Sequence, residues 1–220
     1  MSIGISIFEP ISTMDKKAKI IKAAFSLLSK NGILDTSVDD IAKLAGVSKK
    51  TLYFQFGSKD RLIKETFSWK MMNVSKAVDE VIEMDLFITK KIALYIKVIC
   101  DSISDISFKV FFDLVNLKTL ATPASAEYLK HAVFIRFNKL LDEAKSNEIT
   151  KPGIEVGKAL MTYWTILSPY LLMDLKNDVP YEIKKAESLS KVLYTQLVNF
   201  YDDLLTDSNY TKLLEYLSQS

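Results

Sequence analysis

"TSVDDIAKLAGVSKKTLYFQFGSKDRL", residues 36–62, repeats one small pattern three times: a serine, then a run with helical spacing. Ser37 stands three residues ahead of Asp40, the arrangement of a capping box, in which side chain and backbone satisfy each other's free groups. In "VDDIAKLAG", Val38, Ile41 and Ala42 or Leu44 share one face, and Gly46 ends the helix after about two turns. Ser48 then caps a third short helix, and Ser58, following Gly57, caps a fourth. Two short helices joined by "AGVS" make a helix-turn-helix, where the tight turn needs Gly46 and the close crossing needs the small Ala42.

The second of these helices carries rings and lysines together. Residues advance by about 100° per position, so Leu52 and Phe56 stack on one face while Lys50 and Phe54 stack on nearly the opposite one. Leu52 and Phe56 are expected to look inward, toward Ile21, Phe25, Ile41 and Val47. Lys49 and Thr51 fall in the exposed first turn, and Tyr53 sits at the border. Lysines beside free helix amides attract phosphate or the edge of guanine. An outward Phe54 finds cover against a thymine methyl or a deoxyribose, or else against a neighbouring helix. Tyr53 divides between packing support and a hydroxyl contact to phosphate, and Lys59 can hold the backbone on the far side. Together these residues describe a reader of the major groove.

Charge is distributed to match. Residues 14–70 hold twelve Lys and Arg against six Asp and Glu, although the 220-residue chain has a net charge of only +2. A basic N-terminal quarter on a mildly acidic body implies a polyanionic partner for that quarter. Hydrophobic residues make up 49% and charged residues 25%, with 6 Gly and 5 Pro, a composition that suits long helices better than many short strands. No apolar run approaches the roughly 18 residues of a membrane span. The apolar opening "MSIGISIFEPIST" lacks a basic leader and a cleavage site, so residues 1–13 are read as an N-terminal arm and the protein is expected in the cytoplasm.

Cys100 and His131 are the chain's single cysteine and histidine, which forbids an internal disulfide and the usual zinc sites. No metal or cofactor is expected. The chain lacks a Gly-rich phosphate loop, and its adjacent carboxylates, Asp39-Asp40 and Asp202-Asp203, diverge by about 100° on a helix. Enzymatic chemistry is therefore not expected.

The remaining chain reads as long helices at 58–83, 86–103, 105–120, 123–146, 152–175, 181–206 and 209–218, after a first helix that ends at Asn31-Gly32. Pro123, Pro152 and Pro180 sit where a first helical turn tolerates proline. The expected fold is all-α: a helix-turn-helix domain at 14–60 and a larger helical bundle at 61–220.

Residues 20–67, "IIKAAFSLLSKNGILDTSVDDIAKLAGVSKKTLYFQFGSKDRLIKETF", closely resemble the DNA-binding domain of TetR-family transcriptional regulators. The match runs without gaps through "TSVDDIAKLAGVS", the "TLYxxF" pattern and "SKDRL". The resemblance implies that Thr36 or Ser37 touches phosphate, that residues 48–54 (Ser48, Lys49, Lys50, Thr51, Tyr53 and Phe54 among them) enter the groove, and that Lys59 lies on phosphate. Phe54 departs from the family pattern, which frequently has His or Tyr there, and this favours an apolar contact.

The resemblance also implies a C-terminal ligand-binding and dimerisation domain. "FKVFFDLVNL", "YLKHAVFIRFNKLL" and "ALMTYWTILSPYLLM" are apolar on more than one face, as suits a core, an interface or a pocket wall. Phe108, Phe111, Phe112, Phe134, Arg136, Tyr163 and Trp164 are the candidate ligand contacts; core packing is the plainer use of each ring, and an internal salt bridge that of Arg136. The expected partners are a palindromic DNA operator, a small hydrophobic or aromatic effector, and a second copy of the chain held through 152–175 and 181–206. Two other functions stay open, the second of which accounts for the charge but not for the capped two-helix turn. One is a DNA-binding regulator that activates or takes no ligand; the other is a helical interaction protein that binds no DNA.

Overall fold

The computed structural model describes residues 16–104, 113, 123–171 and 188–219. Among them the chain forms nine helices: α1 (Lys16–Asn31), α2 (Val38–Ala45), α3 (Lys49–Phe56), α4 (Lys59–Glu83), α5 (Ile88–Ser104), α6 (Pro123–Ser146), α7 (Val156–Leu171), α8 (Leu189–Leu204) and α9 (Asp207–Ser218). The all-α expectation holds; the single extended pairing among the described residues is an isolated antiparallel bridge between Thr150 and Leu205.

The serine caps form as the sequence implies. Ser37 Oγ accepts the Asp40 N–H at 3.1 Å, Ser48 Oγ accepts Thr51 N–H at 3.0 Å, and Ser58 Oγ accepts Arg61 N–H at 3.1 Å. Each hydroxyl satisfies one amide that helix geometry leaves without a partner. Gly46 adopts φ +67°, a left-handed conformation that costs glycine nothing and lets Val47 N–H reach the Ala42 carbonyl at 3.0 Å. That turn aims α3 across α2.

Two apolar cores result. Ile20, Phe25 and Leu28 of α1, Ile41 of α2, Leu52 and Phe56 of α3, and Leu62 and Phe67 of α4 enclose the first. Val78, Val81 and Ile82, further along α4, join α5 to α9 around the second, which centres on Tyr95, Phe137, Tyr163, Leu197 and Tyr201. Full burial of a side chain such as Leu52 or Phe56 stabilises by about 1.5–3 kcal/mol. One continuous helix, α4, therefore belongs to both cores, packing on α1 and α3 at its start and on α5 and α6 at its end.

One helix start differs from expectation. Pro152 does not open the helix placed at 152–175; it lies with Gly153 in a turn, and α7 begins at Val156. Lys151 N–H donates to Leu204 O and Thr206 N–H to Ile149 O, both at 2.9 Å, so this stretch is held extended against the end of α8 before Gly153 turns at φ +78°. The helix expected at 105–120 and the start of the one at 181–206 lie outside the described residues, apart from Asp113.

Candidate nucleic-acid interface

Leu52 and Phe56 are fully buried, fixing the rotation of α3. Its other face is open: Lys49 and Lys50 are exposed, Tyr53 is 41% exposed and Phe54 86%. A phenylalanine left so open gains nothing from its own fold. With Lys50 one turn back on the same side, it forms an apolar and cationic ridge that no helix among the described residues covers. Ser48 and Thr51 share a hydrogen bond at 2.9 Å at the exposed N-terminal end of this ridge. Ser37, also exposed, marks the start of α2.

Lys49 is not idle in the free protein. Its ammonium lies 2.9 Å from Asp39 Oδ2 on α2, and that hydrogen bond raises its pKa above the ordinary lysine value. Asp39, which the sequence pattern does not mark, thus competes with a nucleic acid for Lys49. Its only signal is position: a helix-opening carboxylate ten residues before a lysine.

Two residues expected at phosphate hold internal hydrogen bonds in the free protein. Thr36 is 1% exposed, with its hydroxyl turned inward to donate to Gly32 O at 2.6 Å, where Leu27 O also lies at 3.3 Å. It closes the loop between α1 and α2 and cannot face a duplex; of the pair, Ser37 is the exposed member. Lys59 is partly buried, and its ammonium donates to the Ile33 carbonyl at 2.8 Å. In the free protein it braces the same loop from the start of α4.

Among the described residues, the candidate ligand contacts do not meet at one place. Arg136 engages both Asp79 carboxylate oxygens at 2.8 and 2.9 Å and Ser75 Oγ at 2.5 Å, tying α6 to α4. This is the internal salt bridge, in place of a ligand acid. Phe134 and Trp164 meet edge to face at 6.1 Å, half buried between α6 and α7. Tyr163 turns the other way, into the second core, where it stacks on Phe137 at 4.2 Å. Phe108, Phe111 and Phe112 lie outside the described residues. Sequence inspection passed over Tyr95 and Tyr201, which join Tyr163 in that core, because they continue the apolar stripes of their helices.

A capped two-helix turn with an exposed basic and aromatic second helix is the architecture of a helix-turn-helix DNA-binding protein. Residues 20–66 match the family model described as "Bacterial regulatory proteins, tetR family". An uncharacterized HTH-type transcriptional regulator, YhgD of Bacillus subtilis (strain 168), is 23% identical over 142 residues, which are 64% of this chain and 74% of the relative. The HTH-type transcriptional regulator EthR of Mycobacterium tuberculosis is 43% identical over 49 residues, only 22% of this chain and 23% of that protein. A solved gamma-butyrolactone receptor, described as ArpA-like, superposes with a TM-score of 0.58 at 13% identity, covering 93% of this chain and 94% of that one. Residues 20–66 therefore form a DNA-binding domain of the TetR family of transcriptional regulators. Family and relatives alike are regulators and not enzymes.

Proposed function

We propose that the protein is a repressor that binds a palindromic operator as a homodimer and lets go when a small hydrophobic or aromatic molecule enters the C-terminal bundle. The observation that carries the DNA half is the open Lys50–Phe54 ridge on a helix whose opposite face is sealed by Leu52 and Phe56. Ser37, Ser48, Lys49, Lys50, Thr51, Tyr53 and Phe54 form the contact set, with the lysines and hydroxyls on phosphate or guanine and Phe54 on an apolar base edge. Residues 14–60 act as the reading head and 61–220 as the sensing and dimerisation part.

A lone head of this size buries little surface, whereas a two-fold pair spans half-sites about 34–36 Å apart or a multiple of that. Exposed apolar side chains on the helices assigned to the partner support this: Met161 on α7 is 51% exposed and Tyr194 on α8 is 38% exposed. The solved neighbour described as a gamma-butyrolactone receptor supports a sensing role for the bundle. A ligand acts by binding more tightly to the head spacing that does not fit the operator, and only that difference in affinity can drive release.

Selection of tight-binding duplexes from a random pool, followed by gel-shift titration against salt, tests the proposal. Enrichment of an inverted repeat with a steep salt slope is expected. Selection of no sequence, or a single half-site bound by a monomer, rules it out.

A further inference from the structure

The second core has a polar centre that its own fold leaves unsatisfied. Tyr95 of α5, Tyr163 of α7 and Tyr201 of α8 are each at most 2% exposed, and they lie among the rings of Phe137 and Phe200. The hydroxyls of Tyr163 and Tyr201 have no hydrogen-bond partner. Tyr95 is near enough to influence the ionisation of both, yet it makes no hydrogen bond of acceptable geometry to Tyr163. Buried hydroxyls are normally paired, so two orphans side by side call for an account.

We infer that these phenols form the polar end of the effector site, where Tyr163 and Tyr201 donate to a carbonyl oxygen of a neutral, otherwise apolar ligand. The inference rests on the sensing role proposed for the bundle and names the chemistry of that site. A phenol is a better donor than acceptor in such a setting, and burial keeps these protonated: it pushes Tyr95 up to about 12 and the other two well above the ordinary tyrosine value. Charge is disfavoured there. Arg136 and Asp79, the ions that act on Tyr95, are paired with each other and their fields oppose. Among the described residues Arg136 and Lys91 are already paired, with Asp79 and Glu143, so a carboxylate brought into this core competes for them, and burying it unpaired is costly. A ketone, ester or amide oxygen asks only for donors, and two are waiting. The two donors belong to α7 and α8, so a bound carbonyl ties those helices together; α8 packs on α5 and α5 on α4, which starts at the reading head.

Two sets of matched probes test this on the full chain: 2-nonanone, nonane and octanoate, and acetophenone, ethylbenzene and benzoate. Affinities come from thermal-shift titration. The ketone of at least one set is expected to bind about tenfold tighter than its hydrocarbon, the scale of one net hydrogen bond, and more tightly than its carboxylate. In Tyr163→Phe and Tyr201→Phe, which keep the ring and its packing, that ratio falls toward one while hydrocarbon affinity stays. Infrared spectra of the wild-type protein with carbonyl-labelled ketone give a readout independent of the variants' folding: the C=O stretch moves to lower frequency when bound. Binding of no ketone, equal binding of ketone and hydrocarbon, tighter binding of the carboxylate, an unshifted stretch, or a ratio that survives both substitutions overturns the assignment. Operator binding is scored separately without probe. Ketone preference without operator binding sinks the regulator proposal and keeps the site; operator binding without ketone preference does the reverse.

Discussion

Asp113 Oδ2 accepts the backbone N–H of Ile33 at 2.8 Å, across 80 residues of sequence, and that of Leu34 at 3.4 Å. On the other side of the same loop, Lys59 donates to the Ile33 carbonyl at 2.8 Å. The segment between α1 and α2 is therefore gripped by a carboxylate from beyond α5 and by an ammonium from the start of α4. Because α2 follows within a few residues, this grip sets where the helix-turn-helix sits relative to the bundle.

Asp113→Ala removes the acceptor and leaves a buried N–H at Ile33. We expect a loss of about 1–3 kcal/mol of stability, the usual cost of orphaning a buried donor. Hydrogen exchange locates the effect: the amides of Ile33 and Leu34 should lose protection while those of α3 keep theirs. Unchanged protection at Ile33 shows the contact to be unimportant in solution.

Phe54 makes a prediction about base identity. If its exposed ring covers a thymine methyl, replacing the contacted thymine in the selected operator by deoxyuridine deletes one methyl group. Affinity should drop about fourfold, from roughly 0.8 kcal/mol per buried carbon. Phe54→Ala should bind more weakly and be indifferent to the replacement. A wild-type protein equally indifferent at every thymine places Phe54 elsewhere.

Lys49 and Asp39 predict an opposite sign. Asp39→Asn frees the ammonium and removes a negative charge from the DNA-facing side, so affinity for every duplex should rise and the salt slope should steepen by up to about one. Lys50→Ala should flatten the slope by about one and relax base preference as well. Fluorescence anisotropy across a salt series, with selected and scrambled duplexes, separates the two. Equal losses on both duplexes for Lys50→Ala remove it from base contact.

How much of this was legible in the sequence follows from range. Ser37, Ser48 and Ser58 cap helices through atoms three residues away, and Leu52 and Phe56 share a face by helical period alone, so local pattern sufficed. The burial of Thr36 was not legible, because nothing local tells which way its hydroxyl turns; it bonds Gly32 O just past the end of α1, with Leu27 O of α1 nearby. The bonds of Lys59 to Ile33 O and of Arg136 to Asp79 could not be placed from local pattern, because those partners lie 26 and 57 residues away; for Arg136 the internal salt bridge expected as its plainer use is the one formed. Pro152 misled because proline is equally at home in a turn. The tyrosine cluster was invisible for a different reason. Tyr95, Tyr163 and Tyr201 each read as one more ring on an apolar stripe, and only the assembled helices bring their hydroxyls to one place.

Acid should loosen the contact between α1 and α4 only below the ordinary carboxylate range. Glu65 on α4 bonds Lys17 of α1 at 2.7 Å and Arg61 at 3.0 Å, and the Lys17 ammonium also lies 5.6 Å from the centre of the Phe56 ring. The hydrogen bond from Lys17 is the main reason that Glu65 titrates below its ordinary value of 4.5. A carboxylate whose folded pKa is depressed lends stability above its unfolded pKa and loses it as pH falls through the folded one. Between pH 7 and 5 the contribution of Glu65 to the urea midpoint should therefore stay constant, and it should fade only below about 4.5. Glu65→Gln, which keeps the shape and cannot titrate, should be less stable at pH 7 and converge on the wild type in acid. The gap belongs between α1 and α4, so it should also show as faster exchange in α1. A gap that stays constant down to pH 3 means that Lys17 holds the protonated acid as well as the carboxylate, and the charge of Glu65 then contributes nothing to docking α1 on α4.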